Sequence, residues 1–200
     1  MVIPTDPAIP LWLKVAYTAF VAFLVPIYLK HWGPGNFLWF SDIALFGTLL
    51  ALWIESGFLA SMMSIAVLLP EVVWNVDFFG RLLTGKNIGG LSAYMFDSRK
   101  PLYVRALSLF HVFLPMLLVW LIHTLGYAAH AWIAQTLLAW IVLPLTYLLT
   151  DRQQNVNWVY GPTSKPQTVI SQRLYLLLVM LAFPLFIYLP THLILRAVFG

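Results

Sequence analysis

The stretch FLASMMSIAVLLPEVVWNVDFF, residues 58–79, contains the pattern that decides the fold. It is mostly apolar and long enough for a helix to cross the roughly 30 Å hydrocarbon core of a bilayer. Its second half nevertheless carries Glu71, Asn75 and Asp77. A carboxylate near the middle of a membrane costs at least about 2.5 kcal/mol. These side chains are therefore expected to face the interior of a bundle, to pair with one another or to line a wet cavity.

The composition of the whole chain indicates an integral membrane protein. Of its 200 residues, 62% are hydrophobic and 9% are charged, whereas a soluble domain carries about 25% charged residues. The net charge of +4 comes from basic residues near the ends of apolar segments, which is a topology signal and excludes a nucleic-acid partner. The absence of cysteine excludes disulfides, thiolate metal sites and thiol nucleophiles. The N-terminal MVIPTDPAIP lacks the features of a cleaved signal peptide, so none is expected.

Six apolar segments predict an all-α fold, a bundle of six transmembrane helices forming one membrane domain over residues 1–200. The predicted spans are approximately 11–29, 37–54, 58–79, 104–125, 132–149 and 174–195. The side that holds loops one, three and five carries nine basic residues, and the opposite side carries only Lys14 and Arg196. The positive-inside rule then predicts that both termini face outward from a bacterial inner (cytoplasmic) membrane.

The polar side chains of the spans gather in the cytoplasmic half. The second span begins with Asn36, Ser41 and Asp42, and His111 lies near the start of the fourth. Even-numbered spans begin, and odd-numbered spans end, at the same face, so these groups and Glu71 share the cytoplasmic half of the membrane. We therefore predict a polar cavity open to the cytoplasm and walled by spans two to five. Pro115 should also free the backbone carbonyl of His111, because proline has no N–H to donate to it.

One chemical interpretation of this cavity is a serine site. Ser41 is the predicted nucleophile and His111 its general base, with a carboxylate from Asp42, Glu71 or Asp77 orienting the imidazole. Ser41 Oγ and a His111 ring nitrogen are predicted to lie roughly 3–5 Å apart. Glu71 is expected to face the bundle interior and to contact Asn75 and His111. The predicted substrate-binding residues are Asn36, Asn75, Asn157, Trp158 and Arg81, of which Asn75 and Asn157 are the candidate oxyanion donors.

Other interpretations of the same residues remain open. Asp42, Glu71, Asp77 and His111 could ligate a divalent metal, but no HExxH, ExxH or histidine cluster is present, so neither a metal nor a cofactor is predicted. Asp77 and Arg81 are four residues apart and could form a structural pair. Buried polar residues such as Asn75 also serve as hydrogen-bonding links between membrane helices. The polar-aromatic loop DRQQNVNWVYGPTSKP, residues 151–166, could fold over the cavity or simply lie at the interface.

Three stretches resemble the signature regions of the YwaF-like bacterial integral membrane proteins. They are NFLWFSDIALF (36–46), FHVFLP (110–115) and NWVYGPTSKP (157–166). That family is related to an animal transmembrane acyltransferase of ether-phospholipid synthesis. Its pattern has Leu-Cys in an early span, a His in a later span and an Asn-Tyr-(Met/Val)-Tyr stretch before a Pro. Ser41, His111 and Asn157-Trp158 stand at those positions here.

The resemblance implies a helical membrane fold and acyl transfer through a thioester on cysteine. Ser41 would instead form an ester, which requires stronger activation of the nucleophile. The replacement is equally compatible with lost activity. The predicted function is thus a lipid-modifying membrane enzyme, either an acyltransferase or a lipid hydrolase, with a membrane lipid as partner.

Two alternative functions use the same polar residues. One is a non-catalytic protein that binds a lipid or ligand, or that joins a membrane complex or homo-oligomer. The other is a transporter or proton relay using Glu71 and Asp42, against which the lack of visible repeats argues.

Overall fold

The computed structural model describes residues 8–163 and 165–200, and every regular element in this part of the chain is helical. The α-helices are α1 (Leu11–Trp32), α2 (Phe40–Ile54), α3 (Gly57–Thr84), α4 (Leu102–Leu107), α5 (Phe110–Leu125), α6 (Ala131–Leu149), α7 (Gln172–Ala182) and α8 (Leu189–Phe199). Short 3-10 turns occupy Pro34–Leu38, Ala93–Phe96 and Val156–Trp158. The predicted all-α class is confirmed.

Helix α3 forms the centre of the bundle. It packs against α2, α5 and α6 and touches the α7–α8 segment, and its middle section, including Ile65, Ala66 and Val67, is almost completely buried. Large apolar side chains such as Phe186 and Leu148 instead lie exposed on the outside of the bundle. An apolar exterior around a packed interior is the arrangement that a bilayer requires.

Five helical segments are long and apolar enough to span a membrane: Leu11–Trp32, Gly57–Thr84, Leu102–Leu125, Ala131–Leu149 and Gln172–Phe199. The remaining predicted span, the second, corresponds to α2 and is shorter. Its 15 residues rise about 22 Å, and the first residues predicted for that span form a separate 3-10 turn at Pro34–Leu38. The chain is therefore a multi-span helical membrane protein whose second segment is shorter than predicted.

Two predicted spans contain internal breaks. The fourth bends between α4 and α5, where the N–H groups of Ser108 and Leu109 bond to carbonyls only three residues back. The sixth widens into one π-helical turn, Phe183–Tyr188, which contains Pro184. Such breaks change the direction in which the following side chains point.

Contacts between connections show which of them share an end of the bundle. Asn157 bonds to the backbone of Leu38 and Phe40, and His31 Nε2 lies 2.8 Å from the Tyr103 hydroxyl. These contacts bring together the 33–39, 85–101 and 150–171 connections, and we call this the basic end. At the opposite end, Lys14 donates to Glu55 at 2.7 Å.

Candidate functional site

The centre of the candidate site is a contact between Glu71 of α3 and His111 of α5. Both carboxylate oxygens lie 2.9 Å from His111 Nδ1, and Glu71 is only 2% exposed. In the neutral ring that donates its Nδ1 proton to the carboxylate, Nε2 carries the lone pair. Among the described residues, Nε2 has no hydrogen-bond partner. The predicted carboxylate–imidazole contact is therefore present, and Glu71 forms it.

Two aromatic rings hold the imidazole in place. The ring of Trp74 stacks on His111 at a centroid distance of 4.6 Å, and the ring of Phe110 stacks at 4.1 Å. The interplanar angles are 27° and 28°. Trp74 Nε1 is buried and has no hydrogen-bond partner in the described part of the chain. The ring is thus fixed by stacking as well as by Glu71.

Asn75 joins the backbones of the two helices that carry this pair. Its Nδ2 donates to the Glu71 carbonyl at 2.8 Å and to the His111 carbonyl at 2.7 Å. The His111 carbonyl is the one that Pro115 leaves without a helical donor, as predicted from the sequence. Both amide protons of Asn75 are consequently in use. Asn75 cannot donate to an oxyanion in this arrangement, contrary to our expectation.

Asp42 lies at the edge of the same cluster. It is buried, and Asn36 Nδ2 donates to its Oδ2 at 3.3 Å, while Oδ1 has no partner among the described residues. Of the three carboxyl groups predicted to share this half of the bundle, Glu71 is the one that contacts the histidine.

Two tyrosines of the cluster, Tyr28 and Tyr94, were missed from the sequence, whereas Ser108 was among the polar groups expected in this half of the bundle. The hydroxyls of Tyr28 and Ser108 lie 2.7 Å apart, and the Tyr94 hydroxyl lies beside Ser108 and Trp74. Burial, the Tyr28 hydroxyl and the charge of Glu71 all raise the pKa of Tyr94, so its hydroxyl remains a donor. Tyrosines near span ends are usually interfacial anchors, and no local signal distinguishes these two.

The predicted Ser41–His111 contact is not formed as a hydrogen bond. Ser41 lies in the first turn of α2 and is half-buried. Its Oγ makes no hydrogen bond to any group in the described residues, including the imidazole. Depth along the membrane placed the two residues in the same half of the bundle. The side-chain contact also depends on rotation about each helix axis, which depth does not determine.

Asp77 does not pair with Arg81, and this expectation was wrong. The Asp77 carboxylate instead accepts four hydrogen bonds from the 85–101 connection: the backbone N–H groups of Gly89, Gly90 and Ser92, and the Ser92 hydroxyl, at 2.5 to 3.0 Å. The Arg81 guanidinium lies 4.6 Å from the centroid of the Phe96 ring. Asp77 therefore anchors a connection and does not contact the imidazole.

Asn157 and Trp158 have structural contacts at the start of α2. Asn157 Oδ1 accepts the N–H of Phe40, and its Nδ2 donates to Leu38 O at 2.7 Å and to Thr146 Oγ1 at 3.4 Å. Both amide protons are occupied, so the expected oxyanion role of Asn157 is not available. The Trp158 ring packs edge-on against Trp39 at 5.5 Å. Loop 151–166 thus folds over the first turn of α2.

Three residues of this loop have backbone φ angles that are rare outside glycine. Asn155, Asn157 and Trp158 all have positive φ, at 45°, 50° and 56°. Asparagine tolerates this left-handed region, whereas tryptophan adopts it only when surrounding contacts enforce it.

No group of three or more metal-ligating side chains occurs in the described residues.

Fold and site together define a polytopic helical membrane protein with a buried carboxylate–histidine pair in its interior. No protein-family model matches the chain, and no curated protein or solved structure was found to be similar to it. The relation to YwaF-like proteins therefore stays a prediction from three short stretches.

Proposed function

We propose that the protein is a lipid-modifying membrane enzyme, an acyltransferase or lipid hydrolase, in which His111 is the general base. The observation that carries the proposal is the contact of both Glu71 oxygens with His111 Nδ1. This contact fixes the tautomer whose Nε2 can accept a proton, which is the property a general base needs. The rings of Trp74 and Phe110 both stack on His111 and restrict rotation of its imidazole ring.

In the proposed reaction, His111 Nε2 accepts the proton of a hydroxyl group. The oxygen of that hydroxyl attacks the carbonyl carbon of a lipid ester. The resulting imidazolium is stabilised by the Glu71 carboxylate. When the tetrahedral intermediate collapses, the carbon–oxygen bond to the leaving alcohol breaks and Nε2 returns the proton to that alcohol. The attacking hydroxyl belongs either to Ser41, giving an acyl-enzyme, or directly to an acceptor lipid or water.

The membrane location supports a lipid substrate. The site lies within spanning helices, where the surrounding molecules are lipids, and the sequence resemblance implies acyl transfer. The concentration of basic residues in connections at one end further supports an orientation with the basic end in the cytoplasm of a bacterium. Both termini then lie outside.

The test uses purified protein in lipid nanodiscs containing phospholipid with isotopically labelled acyl chains. Mass spectrometry follows release or transfer of the label. Glu71→Gln keeps the shape of the side chain but removes its charge, and we expect the rate to fall by about 10²–10⁴. Asp97→Asn, which alters a loop carboxylate paired with the exposed Arg99, is the matched control and should leave the rate unchanged.

Ser41→Ala separates the two versions of the mechanism. If an acyl-enzyme forms, a fluorophosphonate probe labels the wild type and not Ser41→Ala, and turnover is lost with the labelling. Turnover that persists in Ser41→Ala and disappears in His111→Ala indicates direct attack by a substrate hydroxyl. Absence of turnover in the wild type would contradict the proposal.

A non-catalytic lipid- or ligand-binding protein is the second candidate. The observation that favours it is the lack of a hydrogen bond from Ser41 to the imidazole, together with the close stacking of two aromatic rings on His111. Buried polar side chains that hydrogen-bond between membrane helices also serve to hold the helices together. Bound lipid retained by purified protein that turns nothing over would support this candidate.

A further inference from the structure

The outer surface of the bundle carries a groove between α3 and α5. It has a volume of about 740 Å³ and is lined by Leu68, Val72, Asn75, Val76, Phe79, Val112, Pro115, Met116 and Val119. Val72, Val76 and Met116 are each more than half exposed. From Leu68 to Phe79 the groove follows about 16 Å of helix. It is therefore an elongated, open groove on a surface that faces lipid.

The lining indicates a hydrocarbon chain as occupant in preference to another helix. Helices that pack together in membranes use glycine, alanine and serine to bring their backbones close. None of these small residues lines the groove, whose walls are valine, leucine, methionine, phenylalanine and proline apart from Asn75. Branched and flexible apolar side chains suit a mobile methylene chain, which has no backbone that must approach closely.

Asn75 connects this groove to the interior pair. It is half-buried and lies in the groove wall, while its Nδ2 bonds to the backbone carbonyls of Glu71 and His111. Val112, another lining residue, directly follows His111. A chain in the groove would thus contact Asn75, the side chain that bonds to the backbones of the two residues of the carboxylate–histidine pair.

We propose that the groove binds an acyl chain of the membrane lipid on which the Glu71–His111 pair acts, and that the chain enters sideways from the bilayer. This rests on the proposed function for the identity of the lipid as substrate. The apolar walls bind the chain through packing. Asn75 separates the chain from the polar interior and holds the backbones that carry the pair in register.

The test compares Val72→Phe with Val73→Phe in nanodiscs containing a phosphatidylcholine with a diazirine on one acyl chain. Both valines are 55% exposed on α3, but only Val72 lines the groove. After illumination, mass spectrometry locates the cross-links. In the wild type and Val73→Phe we expect enrichment at Val112 and Met116 over Phe186, which is exposed to lipid elsewhere. Val72→Phe should reduce this enrichment about tenfold, equivalent to ~1.4 kcal/mol, because the larger ring occupies part of the groove.

Cross-linking does not require turnover, so the proposed acyl-chain site and the proposed enzymatic reaction are tested separately. Equal labelling of Phe186 and the groove residues would contradict the proposal that the groove binds an acyl chain. Equal effects of the two valine substitutions would contradict it as well. Enriched groove labelling without lipid turnover would keep the chain site and contradict the enzyme. Turnover that is unaffected by Val72→Phe would show that the substrate chain does not use the groove. Thermal unfolding of both variants checks that each remains folded.

Discussion

The contact between Glu71 and His111 is formed where ionised groups are expensive. A buried carboxylate with one partner removed loses its compensation, and such losses cost about 3–5 kcal/mol. Glu71 has no other side-chain partner among the described residues. His111 therefore supports the burial of Glu71, and Glu71 in turn fixes the tautomer of His111.

Asn75 gives a residue-scale prediction about stability. Asn75→Leu keeps the volume but leaves the His111 carbonyl without a donor, which we expect to lower the free energy of unfolding by about 1–3 kcal/mol. In a Pro115→Ala background the loss should be smaller, because the introduced alanine supplies the backbone N–H that proline lacks. The measurement is unfolding of the four proteins of this double-mutant cycle in bicelles. Equal losses in both backgrounds would contradict the assignment.

At the scale of elements, the 85–101 connection is held by one side chain of α3. The Asp77 carboxylate accepts four hydrogen bonds from it, and Tyr94 follows this anchored segment directly. The Tyr94 hydroxyl lies beside Ser108 and Trp74. Asp77 consequently positions a residue of the candidate site without touching the imidazole itself.

We predict that Asp77→Asn loosens this connection while leaving the bundle folded. An amide offers one acceptor oxygen and turns an NH₂ group toward donors, so at least one of the four hydrogen bonds becomes a donor–donor clash. Trypsin should then cleave faster after the exposed Lys86, as followed by mass spectrometry. Asp97→Asn alters another carboxylate of the same connection, which pairs with Arg99, and should not change the cleavage rate. Unchanged cleavage in Asp77→Asn would refute the anchoring role.

A second element-scale contact ties the start of the described chain to the α2–α3 turn. Glu55, at a positive φ of 52°, accepts from Lys14 Nζ and from the N–H groups of Ala8 and Ile9. The Lys14 side chain lowers the pKa of Glu55 from its usual 4.5. A group with a lowered folded pKa stabilises the structure above its unfolded pKa and loses this effect as the pH falls through the folded value.

The tether of residues 8 and 9 should therefore persist at neutral pH and be lost below pH 4.5. Amide hydrogen exchange at Ile9 should accelerate as the pH is lowered through this range, after correction for the intrinsic rate. Glu55→Gln removes the titrating group and should abolish the pH dependence. A pH profile that is identical in the wild type and Glu55→Gln would contradict this account.

For the whole molecule, the central question is orientation in the membrane. Five of the 11 Lys and Arg residues lie in the three connections that meet at the basic end, and four more lie within four residues of these connections. We predict that a reporter fused after Gly200 is active only outside the cytoplasm, and that one inserted near Gly89 is active only inside. Cytoplasmic activity at Gly200 would invert the topology and move the candidate site to the outer half. Moving positive charges from the 85–101 connection to the 126–130 connection should weaken the preference for the orientation with both termini outside.

Much of the architecture follows from the sequence because hydropathy is a local sum. The membrane class, the helical fold, the end at which polar groups gather and the carbonyl freed by Pro115 all depend on residue type and spacing within one segment. The choice of Glu71 as the partner of His111 does not. Asp42, Glu71 and Asp77 lie in the same half of the bundle, and the rotation of each helix about its own axis and the packing between helices decide among them.

The tertiary structure alone also determined the parts played by Asp77, Tyr28, Tyr94 and Asn157. Each contact of these side chains joins residues distant in the chain, through connections whose path depends on turn geometry and backbone strain. A helix turns about 100° per residue, so a small error in a helix boundary moves a side chain to another face. Depth in the membrane is therefore readable from the sequence, whereas the direction in which a side chain points is set by packing between helices.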